Sequence, residues 1–246
     1  MHVLVTRPEA DCEGQRMEFE ALGLTVSMAP LIEIQFEVIP ATRLLGSAAL
    51  VATSRNGLRA LARYDALKTA HSIPLFVVGA ATAALARDIG FTDVRTGAGT
   101  ATALGGLISD SKHEFGGRPL VHLAGDQLAF DLKTELAAHA INLDLVPAYR
   151  TIPAGHLPDA VRAELQAGQI DAVILMSPRT ARIWSQVAGA LGPSKITQNL
   201  THVCLSQAVA EALQPGPAVR VEIAAHPSSE EIVGLIRRLA ADRRTE

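Results

Sequence analysis

Short runs rich in β-branched residues alternate with amphipathic runs along the whole chain, and this alternation restricts the fold more than any other feature. "HVLVT" reads as a strand, and "EADCEGQRMEFEALG" reads as the helix after it, closed by Gly23 at the C′ position. "TVSMAPLIEI" is extended. "AALVAT" reads as a strand followed by the helix "NGLRALARYDAL". "PLFVVG" is a strand, "ATAALARDIG" a helix and "TDVRTG" a strand. "PLVHLAG", the helix "AFDLKTELAAHA" and the strand "NLDLVPAYRTI" come next. "DAVILM", "THVCLS" and "VRVEIA" are three more strands, each followed by a helix. Strands and helices in strict alternation specify parallel sheets covered by helices on both faces. Aromatic residues make up only 4% of the chain while 48% is hydrophobic, so Val, Leu, Ile and Ala must fill the core.

The alternation contains a repeat. "LTVSMAPLIEI" resembles "INLDLVPAYRTI", with Pro30 matching Pro147 at an offset of 117 residues. "VATSRNGLRAL" resembles "ILMSPRTARIW", with Ser54 matching Ser177 at an offset of 123. "VVGAATAAL" resembles "CLSQAVAEAL", with Gly79 matching Ser206 at an offset of 127. The slow drift is what changes in loop length produce. A duplicated βα unit of about half the chain implies two similar α/β lobes. A cleft between lobes is a preferred ligand site.

The junctions between strands and helices carry the chemistry. Each helix begins with N–H groups that have no partner inside the helix. A Ser or Thr at the N-cap supplies an acceptor, and Pro fits the next position because its missing N–H costs nothing there. Ser177-Pro178 has this form, and Thr6 with Glu9 has the spacing of a capping box. Ser54, Ser206 and Ser228 with Glu231 occupy equivalent junctions. Capping accounts for each residue singly. Their number supports a second reading, because several of these junctions also carry Arg: Arg7, Arg55 and Arg179. In open α/β sheets ligands bind at the carboxyl ends of the strands. Helix N-termini there attract anions, and guanidinium forks recognise carboxylate or phosphate. The ligand implied is a polyanion gripped by hydroxyls, Arg and backbone N–H groups.

Other chemistries are not encoded. The eight His show neither HxH nor HExxH, which argues against a catalytic metal. No GxxxxGK[ST] and no GxSxG is present. "TGAGTATALGG", Thr96 to Gly106, misses GxGxxG and reads as a plain βα turn. His226, at the end of the last strand, reads as a loop residue. A net charge of −3 offers nothing to nucleic acid or to an anionic membrane. The locally basic "RRLAADRRTE" suits a solvated helix end. Cys12 and Cys204 lack metal spacing and read as reduced thiols. The first residues enter a strand at once, and the longest uncharged stretch, Ser72 to Ala86, is too short to span a membrane. A cytoplasmic protein, neither exported nor membrane-inserted, is expected.

Tyr149 stands apart for another reason. The repeat pairs it with Ile32, so one copy of the unit does without the hydroxyl. Tyrosine favours strands and offers a polar handle when buried. In a dry cleft its phenol also serves as a proton donor.

"VLVTRPE", "TSRNGLRAL", "VVGAATAALARDIGF", "VPAYRT", "SPRTARIW" and "CLSQAVAEAL", in this order, resemble the bacterial uroporphyrinogen-III synthase family. The resemblance runs from Val3 to about Leu239. It implies two flavodoxin-like parallel-sheet lobes joined by a two-stranded linker, with the first lobe discontinuous in sequence. Carried over, the first lobe is 1–33 plus 153–246, the second is 38–148, and the linkers are about 34–37 and 149–152. The implied reaction closes hydroxymethylbilane to uroporphyrinogen III, with loss of water and inversion of ring D through a spiro intermediate. The pyrrole itself stabilises the azafulvene left when the hydroxyl departs, so no cofactor and no metal is expected. The work left to the enzyme is to fold the substrate so that the spiro route outruns direct closure to isomer I.

By this resemblance Tyr149 is the expected acid for the departing hydroxyl. The expected contacts for the substrate carboxylates are Thr6, Arg7, Thr53, Ser54, Thr82, Ser177, Arg179 and Ser206, with backbone N–H groups near Gly79 and Ala80. Two differences from relatives stand out. Ser54-Arg55-Asn56 replaces the Ser-Pro-Arg of many of them, and Gln207, Ala208 and Val209 follow Ser206 where some carry adjacent threonines. A monomer is expected, with the tetrapyrrole as small-molecule partner and a transient handover from hydroxymethylbilane synthase. Two other readings share the two-lobed form: a non-enzymatic binding protein for an anionic metabolite, and a transferase using a nucleotide sugar. The ordered motifs favour the synthase over both.

Overall fold

The computed structural model of the chain describes residues 1–128, 130–191, 200–213 and 220–243. Arg244 to Glu246, the end of the basic tail, lie outside the described residues. Strands and helices alternate as the sequence pattern requires. The first part of the chain forms β1 (His2–Val5), α1 (Glu9–Glu20), β2 (Thr25–Met28), β3 (Ile32–Phe36), β4 (Ala49–Ala52), α2 (Arg55–Ala62) and α3 (Ala66–Ala70). Then come β5 (Leu75–Val77), α4 (Ala80–Asp88), β6 (Val94–Thr96), α5 (Ala101–Asp110), β7 (Leu120–Gly125) and α6 (Leu132–Ala138). The last part is β8 (Leu143–Pro153), α7 (Asp159–Gln166), β9 (Ala172–Leu175), α8 (Pro178–Gly189), β10 (Thr201–Cys204), α9 (Gln207–Ala212), β11 (Arg220–Ile223) and α10 (Ser229–Asp242). The single helix expected at "NGLRALARYDAL" is two helices, α2 and α3, separated by a turn at 63–65.

The chain divides into two compact units, Met1–Glu33 with Ile152–Glu246, and Ile34–Thr151. The first unit holds a five-stranded sheet in the order β11-β10-β9-β1-β2, parallel throughout. Ranked by sequence this is 2-1-3-4-5, the flavodoxin-like order. The second sheet runs β3-β8-β7-β4-β5-β6, with the last five strands parallel. Glu37 N–H donates to Ala148 O, and Ala154 N–H donates to Leu31 O. These two bonds step in opposite directions, so β3 and β8 are antiparallel.

Strand pairing extends the sequence repeat. Val3 of β1 lies opposite Ala172, and Leu120 of β7 lies opposite Ala49. Ala172 and Ala49 are themselves the pair at the 123-residue offset. On their other sides Val3 faces Val26 and Leu120 faces Leu143, a pair at the 117-residue offset. So β7 is the counterpart of β1, and each sheet has the same spatial order, β2-β1-β9-β10-β11 matching β8-β7-β4-β5-β6. The second unit is this sheet entered at the equivalent of β9, which makes its sequence order 3-2-1-4-5. The two copies are related by circular permutation.

The second unit has a core on each face of its sheet. Leu50, Ala52, Leu58, Leu61, Val121 and Leu123 belong to one cluster, and Val51, Phe76, Leu104, Leu120 and Leu136 to the other. In the first unit Val3, Val5, Phe19, Ile174, Val203 and Ile236 share a cluster. Gly57 lets α2 lie close on β7, since a Cβ there would stand 2.7 Å from Leu123 O.

Several caps form as the junction residues suggest. Ser177 accepts from Thr180 N–H while Thr180 Oγ1 accepts from Ser177 N–H, a reciprocal box with Pro178 at the first helical position. Ser54 accepts from Asn56 N–H, Ser228 from Glu231 N–H and Thr100 from Ala103 N–H. The last of these starts α5, so within 96–106 only residues 97–100 form the βα connection and 101–106 is helix. The Thr6–Glu9 box does not form. The N-cap of α1 is Pro8, and the Thr6 hydroxyl donates instead to Ile174 O at 2.6 Å, where β1 and β9 separate. Ser177→Ala is expected to lower unfolding stability by about 1 kcal/mol, read as a shifted urea midpoint with unchanged slope.

Candidate active site

In a doubly wound sheet the crevice opens where the strand order reverses. In the second unit that is between β4 and β7. The chain leaves β4 through Thr53 and Ser54 and leaves β7 through Gly125 and Asp126. The register between β7 and β8 is regular up to Ala124 opposite Pro147, then skips so that Gly125 lies opposite Tyr149. Ala148 is the extra residue of this bulge. A bulge re-aims the side chain that follows it. Here it lays the phenol of Tyr149 over Gly125: a Cβ on Gly125 would stand 2.7 Å from Cζ and 2.8 Å from the phenol oxygen.

Asp126 fastens the arrangement. Its N–H donates to Tyr149 O at 3.1 Å, and its Oδ1 accepts from Thr151 N–H at 3.0 Å and from Thr151 Oγ1 at 2.9 Å. The phenol shares a hydrogen bond with Ser54. Burial pushes the Tyr149 pKa up, the Ser54 hydrogen bond draws it part of the way back, and the Asp126 charge raises it. The phenol is therefore protonated at neutral pH and able to donate. Thr53 Oγ1 lies 3.0 Å from Nε2 of His122, a side chain only 2% exposed. Burial pushes the His122 pKa down to about 4, so this ring is neutral at pH 7.

Gly79 is the N-cap of α4, extended at φ −164° and with no side-chain cap. Ala80, the first residue of that helix, is exposed, and Thr82 is buried. In the first unit the reversal lies between β1 and β9. Thr6 is wholly buried there with its hydroxyl given to Ile174. Arg7 is half-buried and 3.5 Å from Asp11. Ser177 and Arg179 start α8, with the Ser177 hydroxyl engaged in its capping box. Ser206 is the N-cap of α9 and makes no side-chain cap bond. His226 is exposed. Cys12 and Cys204 are free, buried thiols that burial pushes up to about 12, which leaves them protonated and unreactive.

The structure thus joins Tyr149, Ser54 and Thr53 in one place within the second unit, and Thr6, Arg7, Ser177 and Arg179 at one reversal within the first. Sequence reasoning missed His122, Gly125 and Asp126. A signal existed: "LVHLAGD" places a histidine amid apolar strand residues and ends on Gly-Asp. Its match to β1 shows only in the pairing register. Among the described residues no group of three or more His, Cys, Asp or Glu is placed to hold a metal ion. Among them, too, no helix is long and apolar enough to cross a membrane.

Comparison with known proteins bears on the family and the fold. The family model described as uroporphyrinogen-III synthase HemD matches residues 16–234. Among solved structures, uroporphyrinogen-III synthetase from Helicobacter pylori is 18% identical, with a TM-score of 0.65, covering 97% of this chain and 100% of that one. A mutant uroporphyrinogen III synthase from the extremely thermophilic bacterium Thermus thermophilus is 17% identical, with a TM-score of 0.56, covering 100% of both chains. At such identity the two structures establish a shared two-lobed α/β fold. No curated protein matches significantly.

Proposed function

Because the chain belongs to the uroporphyrinogen-III synthase family, cyclising lyases of tetrapyrrole synthesis, we propose that it closes hydroxymethylbilane to uroporphyrinogen III through a spiro intermediate that inverts ring D. The observation that carries this reading is the protonated phenol of Tyr149, half-buried, hydrogen-bonded to Ser54 and held over Gly125 at the sheet's reversal point. The reaction begins when a hydroxyl leaves as water. Tyr149 O–H donates the proton that makes it a leaving group, and the pyrrole nitrogen supplies the electron pair that forms the azafulvene. Ring D attacks through its substituted carbon, and the spiro product fragments and recloses.

The linear substrate carries many carboxylates. Thr53, Ser54 and the N–H groups at Gly79 and Ala80 are proposed to hold them in the second unit, and Arg7, Ser177, Arg179 and Ser206 in the first. Thr6, just beyond β1, and Thr82, in the first turn of α4, have buried side chains and are proposed as the remaining contacts, reached only at the margin of the site. Such fixed donors lower the barrier because they are already oriented before reaction. The protein is proposed to act as a monomer, taking the bilane from hydroxymethylbilane synthase.

The test supplies hydroxymethylbilane from its deaminase, adds the protein, oxidises the products and separates isomers I and III. Mostly isomer III is the expected product. Isomer I persisting in the presence of folded protein would remove the synthase reading and leave an anion-binding protein.

A further inference from the structure

His122 is a polar side chain in a strand that has no need of one. The repeat makes Val5 its counterpart in β1, so the same sheet position is apolar in the sister copy. His122 lies on the middle of β7, between β4 and β8, opposite Val51 and Leu145. It is almost wholly buried, yet only one of its ring nitrogens is engaged. Nε2 meets Thr53 Oγ1 at 3.0 Å, while Nδ1 has no partner among the described residues.

The unpartnered nitrogen decides the tautomer. A neutral imidazole carries one N–H, and burial keeps this ring neutral. Were the proton on Nδ1, a buried donor would be left unpaired, which folded proteins rarely tolerate. Placing the proton on Nε2 leaves only a lone pair unsatisfied and makes Nε2–H donate to Thr53 Oγ1. A hydroxyl that accepts in this way keeps its own proton free to give elsewhere. Thr53 sits at the carboxyl end of β4 and is half-buried, so it is not sealed from a ligand there.

We propose that His122 is a positioning residue: its Nε2–H fixes the Thr53 hydroxyl as a donor aimed at a substrate carboxylate at the end of β4. This rests on the reading of Thr53 as a carboxylate contact. It adds a buried residue that never touches substrate yet sets the polarity of one that does.

The test has two readouts. The first is the imidazole nitrogen signature of His122 by NMR on the whole wild-type protein. A protonated Nε2 is expected, and a protonated Nδ1 overturns the proposal. The second is kinetic. His122→Val, which copies the sister unit, is expected to raise KM for hydroxymethylbilane about tenfold with a smaller change in kcat, as for a lost hydrogen bond to a charged group. Thr53→Val is expected to do the same, and the double variant to be no worse than either single one. His122→Gln, whose amide also donates, is expected to recover part of the loss. Additive effects, or an unchanged KM in His122→Val, overturn the proposal. Should wild-type protein make no isomer III, the synthase reading falls while the tautomer still decides the role of His122. The tautomer also decides it should His122→Val not fold.

Discussion

Gly125→Ala is expected to lower turnover by about a hundredfold or more, the lower end of what a positioned general acid contributes. The reason is steric. The added methyl would lie 2.7 Å from Cζ and 2.8 Å from the oxygen of the Tyr149 phenol, well inside van der Waals contact. An aromatic ring does not bend, so the whole side chain must swing off its perch and lose its hydrogen bond to Ser54. Tyr149→Phe makes the complementary test, keeping the ring and removing only the hydroxyl. It is expected to show a fall of similar size. Its melting temperature should stay nearly unchanged, since one hydrogen bond is worth only about 1 kcal/mol. The share of isomer I should rise in both, because unassisted closure then competes. The double variant should be no slower than Tyr149→Phe, since both remove one function. A fully active Gly125→Ala would show that the phenol works from elsewhere. A fully active Tyr149→Phe would make it a packing residue.

Acid is expected to destabilise both units between about pH 6.5 and pH 4. Each unit buries one neutral histidine in its sheet, His122 in one and His202 in the other. Burial lowers both pKa values from 6.5 to about 4, against weak opposing hydrogen bonds to backbone for His202. The unfolded chain therefore binds more protons than the native one throughout this window, so stability rises with pH. The contribution is complete above pH 6.5 and drains as pH falls toward 4. By pH 5 the loss is about 2 kcal/mol for each histidine, a substantial part of the total stability of an ordinary domain. Urea unfolding from pH 7.5 to pH 4.5 would measure it. His202→Leu is the diagnostic variant. The repeat places Leu75 at the matching position of the other sheet, so leucine suits that strand. Its unfolding midpoint should depend less on pH. A midpoint as steep in His202→Leu as in wild type would assign the acid sensitivity to other groups.

Much of the fold was legible because it is local. Val3 to Val5, Leu50 to Ala52 and Val173 to Leu175 are buried strands bounded by polar junctions, and hydrophobicity and branching mark them without reference to distant residues. The caps of Ser54, Ser177 and Ser228 join atoms two or three residues apart, so residue type and spacing suffice. The Thr6 cap failed for a non-local reason: a carbonyl 168 residues away, Ile174 O, competed for its hydroxyl and won. The match of β7 to β1 was illegible because "LVHLAGD" and "VLVTRPE" share no residue pattern beyond strand character.

The candidate site divides along the same line. The sequence by itself determined the alternation of strands and helices, the duplicated unit, the capping hydroxyls and the placement of Tyr149 on a strand in one copy only. Those depend on contacts within a few residues or on comparison of one stretch with another. Only the tertiary structure decided the permuted strand order, the bulge at Ala148, and the meeting of Tyr149 with Gly125 and Ser54 and of Thr53 with His122. Strand order and register are set by the burial of whole sheet faces, a sum over many distant pairs. No single stretch of sequence carries that sum.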